Sequence, residues 1–256
     1  MTMVHNGNHN GTKDAIRLRA LSKSFGEQKV LSGINLSVAR GKTTTILGRS
    51  GTGKSVLLKL LIGLQPPDSG TIEINGEEIT KLTFDDLNRV RMTIGFLFQG
   101  AALYDSLSVE ENVAFPLRRH TKMTSDQRRE RVRDLLARVG VEDAASKMPS
   151  DISGGMKKRV GLARALALDP EIMLLDEPTA GLDPITADEI NDLIRSLQKE
   201  RNTSSIVVTH EMRSVRTVAD RIALLNEGSI LVEGTLDELS ENRDPFVSKF
   251  IQECGR

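Results

Sequence analysis

Residues 48–55, Gly-Arg-Ser-Gly-Thr-Gly-Lys-Ser (GRSGTGKS), decide the fold class of this chain. They fit the pattern G-x-x-x-x-G-K-[ST], in which glycines let backbone N–H groups curl around phosphate oxygens. The β-branched run at residues 43–48 predicts a strand before the loop, and the apolar spacing of residues 54–62 predicts a helix after it. This context favours a phosphate-binding loop over an ordinary glycine-rich turn.

The residue types in this loop match what the phosphates of a nucleotide need. We expect Lys54 to reach the β- and γ-phosphates and the Ser55 hydroxyl to ligate Mg²⁺. The start of the following helix adds partial positive charge. The predicted ATP contacts in the loop are Gly48, Arg49, Ser50, Gly51, Thr52, Gly53, Lys54 and Ser55.

Two acidic residues come at the end of a second buried strand. Residues 172–176, IMLLD, form a continuous apolar run that predicts a central parallel strand closing on Asp176. Asp176 is the expected carboxylate on the Mg²⁺ side, and Glu177 directly after it can accept a proton from an attacking water. The alternative, two acids at a solvated strand end, is disfavoured by the phosphate loop in the same chain.

A histidine ends a third predicted strand. His210 closes the run at residues 205–210, SIVVTH. Ligands of open α/β sheets gather at the carboxyl ends of strands, so its position favours a catalytic role over the structural role that an isolated histidine more often has.

Composition limits the classes of function. The 256 residues carry 35 basic and 35 acidic side chains, and this neutral balance argues against general nucleic-acid binding. Cys254 is the only cysteine, which favours a reducing compartment. No signal peptide is visible, and the longest apolar run, residues 56–64, is far shorter than the roughly 20 residues of a membrane-spanning helix.

The chain divides into a tail, one large domain and a C-terminal helix. Residues 1–14 are polar and rich in Asn and Gly, which predicts a disordered tail. Residues 15–243 are expected to form an α/β domain with a helical subdomain inserted at about residues 100–165. Residues 244–256 are expected to form a short helix, capped by Asp244, and a tail.

A glycine-rich stretch precedes Asp176 by about twenty positions. Residues 152–156 read ISGGM, and Lys157, Lys158 and Arg159 follow. Ser153 is the predicted N-cap of a helix, and the glycines let an anion approach its backbone. The three cations are interpreted as surface or subunit contacts.

From about residue 15 to residue 250 these motifs resemble an ATP-binding cassette (ABC) ATPase. Residues 48–55 match the Walker A motif, and residues 172–176 with Glu177 match Walker B and its catalytic acid. The stretch ISGGM matches the signature sequence. Weaker individual matches, specific in combination and order, are Phe25 (adenine stacking), Gln99 (Q-loop), Asp183 in AGLD (D-loop) and His210 (switch histidine).

This resemblance implies a fold and a mechanism. The fold is a P-loop α/β core with a mixed sheet flanked by helices, an antiparallel β subdomain and an inserted helical subdomain. Two subunits would form a homodimer with two ATP molecules between them. Glu177, His210 and Gln99 would be catalytic, and Ser55, Gln99 and Asp176 would hold Mg²⁺. The remaining ATP contacts would come from Ser153, Gly154, Gly155 and Asp183, with the signature residues acting on the partner's nucleotide.

Four stretches further resemble the ATPase subunit of Mla/Mce-type lipid transporters, namely residues 102–118, 153–166, 181–186 and 244–250. Met156, where many ABC ATPases have Gln, is typical of this branch. The resemblance implies a peripheral protein on the cytoplasmic face of the bacterial inner membrane. Its partners would be integral permease subunits, a lipid-binding MCE-type protein and a small accessory protein.

Three other functions remain as alternatives. An ATPase of an amino-acid or ion importer would share every nucleotide residue. A non-transport ABC protein acting on DNA or ribosomes is disfavoured by the single P-loop, the neutral charge and the lack of a long heptad run. A binding module without turnover is disfavoured by the presence of both Glu177 and His210.

Overall fold

The computed structural model describes residues 14–253. The predicted disordered tail lies outside the described residues except for Asp14, which opens the first strand. Cys254 also lies outside them. Within this range no helix is long and apolar enough to cross a membrane.

Strands and helices alternate along the described part of the chain. The strands are β1 (Asp14–Phe25), β2 (Gln28–Ala39), β3 (Thr43–Leu47), β4 (Ser69–Ile74), β5 (Glu77–Glu78), β6 (Ile94–Leu97), β7 (Ile172–Asp176), β8 (Ser204–Thr209), β9 (Arg221–Asn226) and β10 (Ser229–Gly234). The helices are α1 (Lys54–Leu61), α2 (Phe84–Arg91), α3 (Val109–His120), α4 (Ser125–Arg138), α5 (Gly154–Ala165), α6 (Pro184–Arg201), α7 (Met212–Val218), α8 (Leu236–Ser240) and α9 (Pro245–Glu253).

A six-stranded sheet in the order β10-β9-β3-β8-β7-β6 forms the centre. Its strands β6, β7, β8, β3 and β9 are parallel, and β10 returns antiparallel to β9. β7 is buried along its whole length between β6 and β8, which confirms the predicted central strand. The parallel register brings the carboxyl ends of β3, β7 and β8 to one edge, where Leu47 pairs with Thr209 and Asp176 with Val208.

A second, antiparallel sheet in the order β2-β1-β4-β5 covers one side of the core. The predicted hairpin around the Asn-Gly pair is confirmed: β4 and β5 are joined by Asn75 and Gly76, with φ of +52° and +86°. Both residues therefore adopt the left-handed conformation that a tight hairpin turn requires. The apolar faces of this sheet and of the central strands enclose α1.

The insertion predicted between β6 and β7 is helical. Ser108 and Thr124 cap α3 and α4 with capping boxes that use Glu111 and Gln127. α3, α4 and α5 share one apolar core with α6 and the inner face of β7. The antiparallel sheet and the helical insertion therefore flank the parallel core as expected.

The C-terminal helix packs back onto the core. The Asp244 carboxylate accepts hydrogen bonds from the N–H groups of Phe246 and Val247, as the predicted cap requires. Phe250 and Ile251 are buried against α7, α8 and β9.

Candidate ATP-binding site

The phosphate loop joins β3 to α1 and depends on its glycines. Gly51 and Gly53 have φ of +81° and +101°, which side chains strongly disfavour. A Cβ on Gly48 would lie 2.6 Å from the carbonyl oxygen of Leu225, so only glycine fits there. No side chain caps α1. Its first N–H groups are therefore available to an anion, which the helix dipole also favours.

Lys54 folds over this loop. Its Nζ donates hydrogen bonds to the carbonyl oxygens of Gly48 at 2.8 Å and of Arg49 at 3.1 Å. The same Nζ lies 3.4 Å from Glu177 Oε1. The buried ammonium group of Lys54 is thus held beside the phosphate loop, where it can bind phosphate oxygens.

Ser55 and Asp176 bring two oxygen ligands together from α1 and β7. The Ser55 hydroxyl donates a hydrogen bond to Asp176 Oδ1 at 3.0 Å. Burial raises the pKa of the Asp176 carboxyl, the hydrogen bond from Ser55 opposes this, and the nearby charge of Glu177 adds to it. A cation beside this carboxylate would relieve the cost of burying its charge, so the pair fits Mg²⁺.

The metal would need further ligands from outside the chain. Across residues 14–253 no group of three His, Cys, Asp or Glu side chains is placed to hold a metal ion by itself. Mg²⁺ commonly keeps waters and takes phosphate oxygens beside one or two protein ligands, so this donor set remains compatible with it. Gln99, the third predicted ligand, lines the same pocket as Ser55.

Glu177 lies between two basic side chains. His210 Nδ1 is 3.1 Å from each carboxylate oxygen of Glu177, and Lys54 is on the other side. Glu177 itself is only 7% exposed. Its φ of +45° is rare for a residue with a side chain and costs on the order of 1–3 kcal/mol. The N–H of Glu177 donates to Val208 O at 2.9 Å, which helps to hold this strained turn.

One sequence interpretation was wrong, that of Lys158 as a surface or subunit contact. Lys158 is 4% exposed, and its Nζ donates hydrogen bonds to the carbonyl oxygens of Glu177, at 3.0 Å, and of Gln99. Burial lowers the pKa of Lys158, while the charges of Asp176, Glu177 and Glu211 oppose the shift.

The helical spacing of α5 contains a signal for this position. Lys158 follows Gly155 by three residues and precedes Leu162 by four, so all three lie on one buried face. Arg159 is also used within the chain, since its guanidinium donates to Val139 O and pairs with Glu189 at 2.8 Å.

A pocket of about 320 Å³ unites most of the predicted site. Phe25, at the end of β1, is 44% exposed and forms one wall, which suits stacking on a base. The predicted residues that line the pocket are Phe25, Ser50, Gly51, Gly53, Lys54, Ser55, Gln99, Glu177 and His210. Val30 and Val56 also line it and were not predicted, since as isolated valines they gave no signal beyond their strand and helix.

The remaining predicted contacts do not line this pocket. Gly48, Arg49 and Thr52 belong to the phosphate loop and bond within it or to Lys54, and Asp176 reaches the site through Ser55. Ser153, Gly154, Gly155 and Asp183 lie apart from it, at the starts of α5 and α6.

Two of these distant residues are helix caps. Ser153 Oγ accepts a hydrogen bond from Met156 N–H at 3.2 Å, which confirms the predicted N-cap of α5. Asp183 caps α6 through Ile185 and Thr186, and Pro184 follows at the first helical position. Gly155 packs tightly, because a Cβ there would lie 2.6 Å from Thr186 Cγ2. Ser153 is exposed, so the N-terminus of α5 faces outward.

The fold and this site define an ABC-type ATPase. A profile of the family described as "ABC transporter" matches residues 31–180, more than half of the chain. The chain belongs to the ABC transporter family, as an ATP-binding subunit.

Three relatives have similar identities but different printed functions. The Haemophilus influenzae "Intermembrane phospholipid transport system ATP-binding protein MlaF" is 39% identical over 240 residues, 94% of this chain and 91% of that protein. The Mycobacterium tuberculosis "Probable ribonucleotide transport ATP-binding protein mkl" is 40% identical over 237 residues, 93% of this chain and 66% of that protein. The Brucella abortus "Methionine import ATP-binding protein MetN" is 40% identical over 238 residues, 93% of this chain and 64% of that protein. This chain therefore spans about two thirds of the length of the latter two.

A solved structure shares the fold closely. It is a dimeric ATP-binding cassette in a post-hydrolysis state bound to ADP and Pi. It is 34% identical, with a TM-score of 0.80, and the match covers 86% of this chain and 98% of that one.

Proposed function

We propose that this chain is the ATP-hydrolysing subunit of an ABC transporter that moves phospholipid, or a related lipid, between membranes. The observation that carries the ATPase role is Glu177, held between Lys54 and His210 in the pocket that contains the phosphate loop. A carboxylate in this place can orient a water and accept its proton as the water attacks the γ-phosphate.

Each residue of the site has a distinct task in this mechanism. Lys54 binds phosphate oxygens, and His210 binds the γ-phosphate while fixing the Glu177 carboxylate. Ser55, Asp176 and Gln99 would hold Mg²⁺, whose charge would offset the charge that develops on the phosphates. Phe25 stacks on the adenine. The protein therefore acts through positioning and charge stabilisation, as phosphoryl transfer generally requires.

The site is completed by a second copy of the chain. The exposed N-terminus of α5, with Ser153 as cap, would contact the γ-phosphate held by the partner, close to the Asp183 turn. The solved dimer with ADP and Pi supports this homodimer by analogy. ATP would close the dimer, and hydrolysis would allow it to reopen.

A groove beside Gln99 supports docking to a permease. It has a volume of about 400 Å³ and is lined by apolar and aromatic residues of β6, α3 and α5. The rings of Tyr104 and Phe115 contact each other along it in a tilted arrangement, with their centroids 4.8 Å apart. A cytoplasmic helix of an integral permease would fit here and place this chain peripherally on the inner membrane. Movement of that helix would reach the nucleotide through Gln99.

Lipid is the favoured substrate because of four specific stretches. Residues 102–118, 153–166, 181–186 and 244–250 resemble the Mla/Mce branch, and the similarity to MlaF extends over nearly the whole of both chains. A lipid-binding MCE-type protein and a small accessory protein would complete the transporter. Methionine import is the second candidate, favoured by the similar identity to MetN, although that match covers less of the relative.

Purification of the transporter from native membranes tests the substrate. The chain would be tagged on the chromosome, extracted in mild detergent, and analysed by protein and lipid mass spectrometry. We expect a multi-helix permease and an MCE-type protein carrying phospholipid. Recovery with an amino-acid permease and no bound lipid would replace the lipid proposal by the import alternative. A preparation without ATPase activity would contradict the hydrolytic role.

A further inference from the structure

Lys158 lies where three functional segments of the chain meet. It belongs to α5, and its Nζ donates to the carbonyl oxygens of Gln99, just after β6, and of Glu177, just after β7. The Glu177 carbonyl also accepts the N–H of Ala180 at 3.2 Å, at the start of the turn that leads to Asp183. One ammonium group therefore joins α5 to the backbone of two predicted catalytic residues.

The charge of Lys158 is explained by what it binds. Removing an ammonium group from water is costly unless hydrogen bonds and opposite charges compensate it. Here the two carbonyl oxygens accept hydrogen bonds from Lys158, and Asp176, Glu177 and Glu211 supply negative charge nearby. An apolar side chain of similar volume would fill the space without the free-energy cost of burying a charge. It would, however, leave both carbonyl groups without this hydrogen-bond donor.

α5 is fixed to the segment after Gln99 at two further points. Arg164 donates to the carbonyl oxygens of Ala102 at 2.7 Å and of Ala101 at 2.6 Å. Gly161, one turn after Lys158, allows close approach, because a Cβ there would lie 3.2 Å from Ala101 Cβ and 2.6 Å from Leu97 Cδ1 at the end of β6. The helix and residues 99–102 are thus expected to move together.

We propose that Lys158 is a positioning residue that couples the signature helix to the chemistry of its own subunit. The inference depends on the proposed function, in which the N-terminus of α5 contacts the nucleotide of the partner. A shift of α5 on that contact would move the Gln99 and Glu177 backbones through Lys158. Each site would then reach its reactive geometry only when the opposite site is engaged.

Steady-state ATPase measurements on the purified full-length chain test this role. K158M keeps nearly the volume of the side chain but removes Nζ and its donors, and K158R keeps a cation with donors. K199M is the control, since Lys199 is an exposed lysine on α6, outside the pocket and the signature helix. L162A is a second control, because Leu162 is a buried residue of α5 that touches neither carbonyl. For each variant, kcat, KM for ATP and Tm would be measured.

We expect K158M to lower kcat about 10- to 100-fold, since small displacements of catalytic groups have effects of this size. KM for ATP should stay within about twofold, since the phosphate-loop contacts are unchanged. K158R should recover kcat at least about threefold over K158M, and K199M should match the wild type. L162A should lower Tm while keeping kcat near that of the wild type.

Two results would overturn the proposal. One is a K158M variant with kcat within about twofold of wild type. The other is an L162A variant that loses kcat as strongly as K158M at equal loss of Tm, which would make the effect one of stability. If K158M does not fold, K158L, an apolar variant of different shape that also lacks donors, is measured against the same criteria. An inactive wild type would instead contradict the proposed function, so the two failures are distinguishable.

Discussion

Lys54 and Glu177 form a buried ion pair, with Nζ 3.4 Å from Oε1, across the pocket where β3 and β7 end. The two residues are 123 positions apart in the chain, and the parallel order β3-β8-β7 brings them together. Each is less than a tenth exposed, so their charges interact in surroundings of lower polarity than water. The pair links the cation that would hold phosphate to the carboxylate that would act on water.

The substitution E177Q should separate ATP binding from hydrolysis. Glutamine keeps the volume of the side chain but cannot accept the proton of water, so we expect kcat to fall by about 10²- to 10⁴-fold. ATP affinity should change little, and a fluorescent ATP analogue would measure it. E130Q, at an exposed position on α4, is the control. Hydrolysis by E177Q at the wild-type rate would remove Glu177 from this role.

Mixed dimers test the head-to-tail arrangement. S153R should block the contact of α5 with the partner's nucleotide, and E177Q should block hydrolysis. If both substitutions are in one chain and the partner is wild type, each of the two composite sites is damaged. If the substitutions are in opposite chains, one site carries both and the other is intact.

We therefore expect higher ATPase activity in dimers with the substitutions in opposite chains. Differently tagged copies, co-expressed and purified through both tags, would supply the two kinds of dimer. Equal activity of the two preparations would contradict the shared sites.

The substitution F25A should weaken ATP binding without affecting stability. Loss of stacking on the base is worth about 1–3 kcal/mol, so we expect KM for ATP to rise roughly tenfold. F25Y should retain near wild-type KM because the ring is kept. F84A is the matched control, since Phe84 is 73% exposed on α2 and does not line the pocket. A KM for F25A equal to that of F84A would exclude the stacking role.

The substitution D176N should stabilise the chain while impairing its response to Mg²⁺. Burial raises the pKa of Asp176, so ionising it costs free energy in the folded state. Removing that charge should raise the free energy of unfolding by about 1 kcal/mol at neutral pH in EDTA. Denaturant titrations would measure this, and ATPase assays over a range of Mg²⁺ concentrations would measure the functional loss.

The pH dependence of this gain has a defined sign. The pKa of Asp176 is higher in the folded chain than its ordinary value of 3.8, so the folded chain keeps the proton while the unfolded chain loses it. Raising the pH through the interval between those values lowers the wild-type free energy of unfolding. The advantage of D176N should therefore disappear below this interval and be fully present above it. An advantage that is independent of pH would contradict the effect of burial.

Local sequence patterns predicted most of the fold. The β-branched run at residues 43–48 and the continuous apolar run at residues 172–176 form β3 and β7, which are buried on both faces. The Asn75-Gly76 pair predicted its hairpin, and Asp183-Pro184 predicted the start of α6. In contrast, α2 was not predicted. Only Val90 of its eight residues is buried, so no apolar stripe identified it.

The sequence by itself determined the phosphate loop, its flanking strand and helix, and the residue types of the site. These features follow from local physics: glycine torsions, helix capping and apolar periodicity. Only the tertiary structure decided the role of Lys158. Its hydrogen-bond partners are backbone carbonyl groups 59 positions before it and 19 after it. Backbone groups are present at every residue, so a sequence cannot show which of them a buried cation will meet.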